Sequence, residues 1–137
     1  MRAALILIAC AVGCAAPAEI HIDEAARLID SYPGNGATLP SDRVSPLMFR
    51  FSQALDPTAN LTAAINLRPV GSDGEPAGTS ILLDQCTLDD ADRLLVCGLA
   101  GELANDVRYA VDLDPGLAFA SGETLAIAIR RWFQTLP

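Results

Sequence analysis

Four cysteines, one histidine and several close-set aspartates are the residues of this sequence with chemistry to offer. Cys86 and Cys97 come first, because their spacing can be tested against the geometry of a hairpin. If the two face one another across antiparallel strands, the turn is centred on Ala91-Asp92. That point lies inside the acidic run Asp89-Asp90-Ala91-Asp92, where turn-forming residues belong. The same register sets Leu88 opposite Leu95 and puts Leu99 on the face that carries both cysteines. Facing cysteines of this kind lie within bonding distance, and in an oxidising compartment a disulfide is the expectation. Two reduced, buried thiols are the alternative. A closed loop this short stabilises by about 2–3 kcal/mol in the chain-entropy account. No C-x-x-C motif or second ligand pair accompanies them, so neither a redox relay nor a zinc site can be assembled from spacing.

The remaining candidates are weaker. His21 is the only histidine, and it sits in or beside an N-terminal tether. Without a second histidine, or a cysteine near the first, neither a hydrolytic triad nor a metal centre can be built. No catalytic residue, no metal and no cofactor are therefore expected. Asp89, Asp90 and Asp92, or Asp112 and Asp114, hold oxygens that suit Ca²⁺, although turn formation is the commoner use of such aspartates. Asn60-Leu61-Thr62 has the form of a glycosylation sequon.

The N-terminus reads as an export signal. Arg2 precedes the apolar run Ala3 to Val12, and no acidic residue occurs before Glu19. As a helix that run spans only about half of a ~30 Å hydrocarbon core, so it suits a signal peptide and not a stable membrane anchor. Three cleavage readings compete. Ala11-Val12-Gly13-Cys14 resembles a lipobox, the bacterial lipoprotein motif whose cysteine is lipidated and becomes the first mature residue. Leu7-Ile8-Ala9-Cys10 has the better leucine but leaves a very short apolar region. Ala16-Pro17-Ala18 is an A-x-A pattern that would free a secreted protein beginning at Glu19. Cys14 is the favoured lipidation site. It divides the chain into a signal peptide 1–13, a tether 14–25 and a domain 26–137.

The mature length suits one domain. With 51% hydrophobic and 19% charged residues, the chain has the composition of a packed core and not of disorder. All nine basic residues are arginines, set against 17 acids for a net charge of −8. That balance argues against nucleic acid or an anionic membrane surface as a partner.

Punctuation then recurs at short intervals: Pro33-Gly34-Asn35-Gly36, Pro40, Asp56-Pro57, Gly71 to Gly78, Asp89 to Asp92, Asp114-Pro115-Gly116 and Gly122. Between these marks lie short β-like runs, which suggests a sandwich or barrel. Val107, Tyr109, Val111 and Leu113 alternate with Arg108, Ala110 and Asp112, as in a half-buried strand. Leu47, Phe49 and Phe51 make a second strand. Ile65 with Leu67, Ile81 with Leu83, Leu94 to Leu99, and Ile127 to Thr135 supply four more. Ala26 to Tyr32 is the seventh, although Asp23 to Asp30 would equally suit a short helix. In the last strand Phe133 should face the core with Ile129 and Thr135. Alternation then turns Trp132 outwards, either as a contact residue or packed under a neighbouring loop.

In order, these stretches resemble a bacterial Ig-like domain of the type found in S-layer and other cell-surface proteins. The matching pieces are Ser31 to Pro40, Phe49-Arg50-Phe51-Ser52-Gln53-Ala54-Leu55-Asp56, Leu103, and Tyr109-Ala110-Val111. Gly122, Leu125-Ala126 and the closing Trp132-Phe133-Gln134-Thr135 complete the series. Asn105-Asp106 replaces the family's usual Gly-Thr. The resemblance implies an all-β, immunoglobulin-like Greek-key sandwich of about seven antiparallel strands. It also makes Tyr109 a candidate tyrosine corner, with an ordinary buried tyrosine as the alternative. Pro33 and Pro40 would flank the turn by which the chain crosses between sheets.

Two functional classes follow. One is a non-catalytic envelope lipoprotein that acts as an interaction or adhesion module toward an envelope protein or glycan, touching the membrane only through its N-terminal lipid. The other is a passive structural or spacer domain of the envelope, or a freely secreted Ig-like protein. The location expected is the outer membrane or cell surface, with the periplasm or secretion as the alternative.

Overall fold

The computed structural model describes residues 24–137. The expected signal peptide with Cys10 and Cys14, and the expected tether up to residue 23 with His21, lie outside the described residues. Among those described, no helix is long and apolar enough to cross a membrane.

Eight strands form two four-stranded sheets. They are β1 (Leu28–Tyr32), β2 (Ala37–Leu39), β3 (Leu47–Phe51), β4 (Ile65–Val70), β5 (Leu83–Asp89), β6 (Leu94–Leu99), β7 (Arg108–Leu113) and β8 (Ile129–Thr135). One sheet has the order β1-β3-β6-β5 and the other β2-β8-β7-β4. The first is the A-B-E-D order of an immunoglobulin sandwich, and β4, β7 and β8 take the places of strands C, F and G. The Ig-like sandwich that the resemblance implies is the architecture found. Its strand count is eight, and one pairing is not antiparallel: the short β2 runs parallel to β8, Ala37 beside Phe133 and Leu39 beside Thr135.

Two facing rows of apolar side chains hold the sheets together. Leu47, Phe49, Phe51, Leu95 and Cys97 from the first sheet meet Leu67, Val111, Leu113 and Phe133 from the second, all nearly inaccessible to solvent. Phe119, from the segment between β7 and β8, sets its ring edge-on to Phe51 at 5.6 Å, and Tyr109 stacks on Phe133 at 5.5 Å. Such pairs add about 0.5–1.5 kcal/mol beyond their burial.

Local sequence accounts for the joints. Pro33 to Gly36 carries the chain from β1 in one sheet to β2 in the other, as its turn residues imply. Gly36 has φ +80°, a left-handed conformation that glycine adopts without steric cost. Tyr109 is a tyrosine corner: its hydroxyl oxygen accepts the Ala104 N–H at 2.9 Å, five residues upstream on the approach to β7. Thr135, fully buried at the other side of that approach, donates its hydroxyl to the Ala104 carbonyl at 2.8 Å, and its oxygen accepts the Val107 N–H at 2.9 Å. A buried hydroxyl needs such partners.

One alternative is decided and two expectations are corrected. Residues 28–32 form a strand and no helix, because Leu28 pairs with buried Phe51 and Tyr32 with Met48; the register shift between Leu28 and Asp30 leaves Ile29 exposed. Ile81 and Leu83 do not share a strand. Ile81 bonds through its N–H to Leu67 of β4 at 2.7 Å, whereas Leu83 opens β5 in the opposite sheet. The chain changes sheets between them, and Leu82 stands exposed at the crossing. The last strand starts at Ile129 and not at Ile127, which is 76% exposed.

Candidate functional site

Cys86 and Cys97 lie opposite one another in the β5–β6 hairpin and are disulfide-bonded. Leu88 pairs with Leu95 in the register expected, and Asp90, Ala91 and Asp92 form the turn with positive φ angles. Local carboxylate chemistry explains why this turn is acidic. Asp89 accepts the Asp90 N–H through a side-chain oxygen, and Asp90 pairs with Arg50 of β3. The bond links adjacent strands of one sheet, and at the centre of the sandwich Phe49, Leu67 and Val111 supply packing instead.

The other concentration of functional side chains is on the outer face of the second sheet. Along β7, Arg108 and Asp112 point away from buried Tyr109, Val111 and Leu113. Register then builds two rows across the strands. Arg68, Ala110 and Trp132 stand side by side in one, and Asn66, Asp112 and Arg130 in the next. Ala110 is fully buried on this outward face because the long side chains of Arg68 and Trp132 flank it.

Asp112 joins the rows. It receives Arg68 Nη2 at 3.1 Å, and Arg130 Nε and Nη2 at 2.7 and 3.2 Å, the last two in the bidentate geometry that suits guanidinium and carboxylate. The hydrogen bond from Arg130 to Asp112, with the attraction between their charges, raises the already high pKa of that guanidinium. Arg130 also donates to the Gly74 carbonyl at 3.0 Å, tying the 71–75 turn to the sheet.

Trp132 is 37% exposed. Its outward orientation agrees with alternation, and its surroundings are specific. The Arg108 guanidinium carbon lies 4.6 Å from the ring centre, and Gly36 is set against the far edge of the indole, 3.5 Å from Cζ2 for any Cβ placed there. The neighbouring backbone is pinned as well: Trp132 N–H donates to Asn35 Oδ1 at 3.0 Å, and Gly36 N–H to the Trp132 carbonyl at 2.7 Å. Between Trp132 and the 71–75 turn lies a hollow of about 240 Å³, lined by Val70, Ser72, Asp73, Arg108, Ala110 and Arg130 among others.

Alternation within single strands points Arg108, Asp112, Arg130 and Trp132 outwards. Which of them are neighbours depends on pairings between strands far apart in sequence, and only the fold supplies those. The other aspartates considered for calcium serve turns: Asp114 accepts the Gly116 N–H at 2.9 Å. Among the described residues, no group of three or more His, Cys, Asp or Glu is placed to hold a metal ion.

No family model matches the chain. No curated protein matches it either. Solved structures do match in fold. PcoC, a copper resistance protein from Escherichia coli, superposes with a TM-score of 0.60 at 15% identity, over 80% of this chain and 98% of that one. CopC from Methylosinus trichosporium OB3b gives 0.54 at 18% identity, over 82% and 94%. The N-terminal part of the bacterial S-layer protein SbsC gives 0.60 at 10% identity, over 83% of this chain and 24% of that one. At these identities the likeness is one of fold: the chain is similar to these sandwiches in the path of its backbone.

Proposed function

We propose that this chain is an exported, non-catalytic Ig-like module of the bacterial cell envelope, held to a membrane through a lipidated Cys14, and that it binds a partner through the outer face around Trp132. The observation that carries the reading is the Arg108–Trp132 pair. An exposed tryptophan under a guanidinium, in a chain of net charge −8, is a composition that contact surfaces favour and that ordinary solvated surface does not. The likeness to a surface-layer protein supports an envelope setting, as do the export signal and the disulfide.

Copper resistance, named for PcoC, does not carry over to a copper site within residues 24–137. Copper is taken up by imidazole, thiolate or thioether ligands. Residues 24–137 contain no histidine and a single methionine, Met48, and both of their cysteines are joined to one another.

The test is to isolate the full chain from its own envelope and from a Trp132→Ala strain. A diacylglyceryl-Cys14 N-terminus by intact mass, and envelope material retained by the wild type but not by the variant, are expected. A first residue of Glu19 overturns the anchor. Equal retention by both proteins, or none, overturns the Trp132 face.

A further inference from the structure

We infer that the hollow beside Trp132 is an oxyanion subsite, shaped for a carboxylate or phosphate group on a sugar chain, with Arg108 as the residue that receives it. The inference rests on the reading of this face as the binding surface.

The guanidiniums of the face are not equivalent. Arg68 and Arg130 share Asp112, so much of their charge is already answered. Among the described residues, Arg108 has no carboxylate partner and donates no side-chain hydrogen bond; its one specific contact is the indole. The indole contact uses none of the guanidinium's N–H donors as hydrogen bonds, so they stay available to a ligand. An arginine fork with free donors takes a carboxylate or phosphate in bidentate fashion.

Charge and size narrow the ligand. The acids nearest the hollow are Asp73, Glu75 and Asp112. Asp112 is bound to two arginines, and Asp73 Oδ1 is occupied by the Glu75 N–H at 3.0 Å. The Asp73 carboxylate keeps its charge, and Arg108 is the guanidinium lining the hollow that has no carboxylate partner among the described residues. A volume of about 240 Å³ falls below the ~300–1,000 Å³ of enclosed small-molecule pockets. It suits one charged ring of a chain that continues beyond it. An extended acidic peptide is less well served. Such segments dock by adding main-chain hydrogen bonds at a sheet edge, whereas β7, which carries Arg108, is paired on both sides by β4 and β8.

Trp132 is the only tryptophan in the sequence, so its fluorescence reports on this site alone. The full chain would be titrated with a galacturonate hexamer, a phosphorylated mannan fragment, neutral maltoheptaose and a poly-glutamate peptide. The expected result is a saturable change in Trp132 emission with one or both charged sugars, which tells the carboxylate source from the phosphate source. The response should weaken with added salt and fall about tenfold or more in Arg108→Ala. Arg108→Lys, which keeps the charge but loses the planar fork, should recover only part of it. Thermal unfolding of each variant at the wild-type temperature would show that the fold is intact. A response to maltoheptaose equal to that of the charged sugars overturns the oxyanion subsite, as does an undiminished response in Arg108→Ala. A response to the peptide alone overturns the sugar assignment. No response to any probe, together with envelope material still retained through Trp132, overturns this inference and leaves the proposed binding face standing; loss of both brings down the two together.

Discussion

Tyr109 shows what one polar atom contributes when it is placed at a joint. Its ring lies in the core against Phe133, and its hydroxyl oxygen holds the Ala104 N–H on the approach to β7. Tyr109→Phe keeps the ring and leaves that N–H without its acceptor, so a loss of about 1–3 kcal/mol is expected in urea unfolding. A loss within error of zero would mean that water serves the Ala104 N–H as well as the hydroxyl does. Ala110 carries a different lesson. It alternates with buried residues and yet is itself buried, because Arg68 and Trp132 lie on either side of it. Hydrophobic alternation identifies the face a residue points to, and its cross-strand neighbours decide its exposure.

At the scale of the element, the β5–β6 hairpin is legible in the amino-acid sequence, since cysteine spacing, an acidic turn and the Leu88–Leu95 register all point to one pairing. The disulfide closes a loop with a sequence separation of 11. Replacing both cysteines by alanine is expected to cost about 2–3 kcal/mol in chemical denaturation, with the strands unchanged by circular dichroism. A double variant as stable as the wild type would show that the packing of β5 and β6 suffices. The segments at 28–32 and 81–83 are less legible. A five-residue strand that includes a register shift has no clean alternation, and a chain that changes sheets at Leu82 breaks its own period at that point. The parallel β2–β8 contact covers three residues, too few to leave a pattern of their own.

The whole molecule, over residues 24–137, has one core between two sheets, with both sheets and their connecting loops contributing to the same apolar cluster. Unfolding should therefore be a single cooperative event, with Trp132 fluorescence and far-ultraviolet circular dichroism following coincident urea transitions. Separated transitions would show that the sheets are independent. The strands that alternate strongly, the disulfide register, the crossing turn at Pro33 to Gly36 and the outward orientation of Trp132 can all be read along the chain. These rest on side-chain period and turn chemistry, which act over a few residues. The pairing of distant strands sets Trp132 beneath Arg108, gives Asp112 to Arg68 and Arg130, and leaves Arg108 with no carboxylate partner among the described residues. Those relations join residues 18 to 44 positions apart for the Asp112 pairs, and they are set by which strands are neighbours. That choice belongs to the burial of the core as a whole, so no local stretch of the chain encodes it.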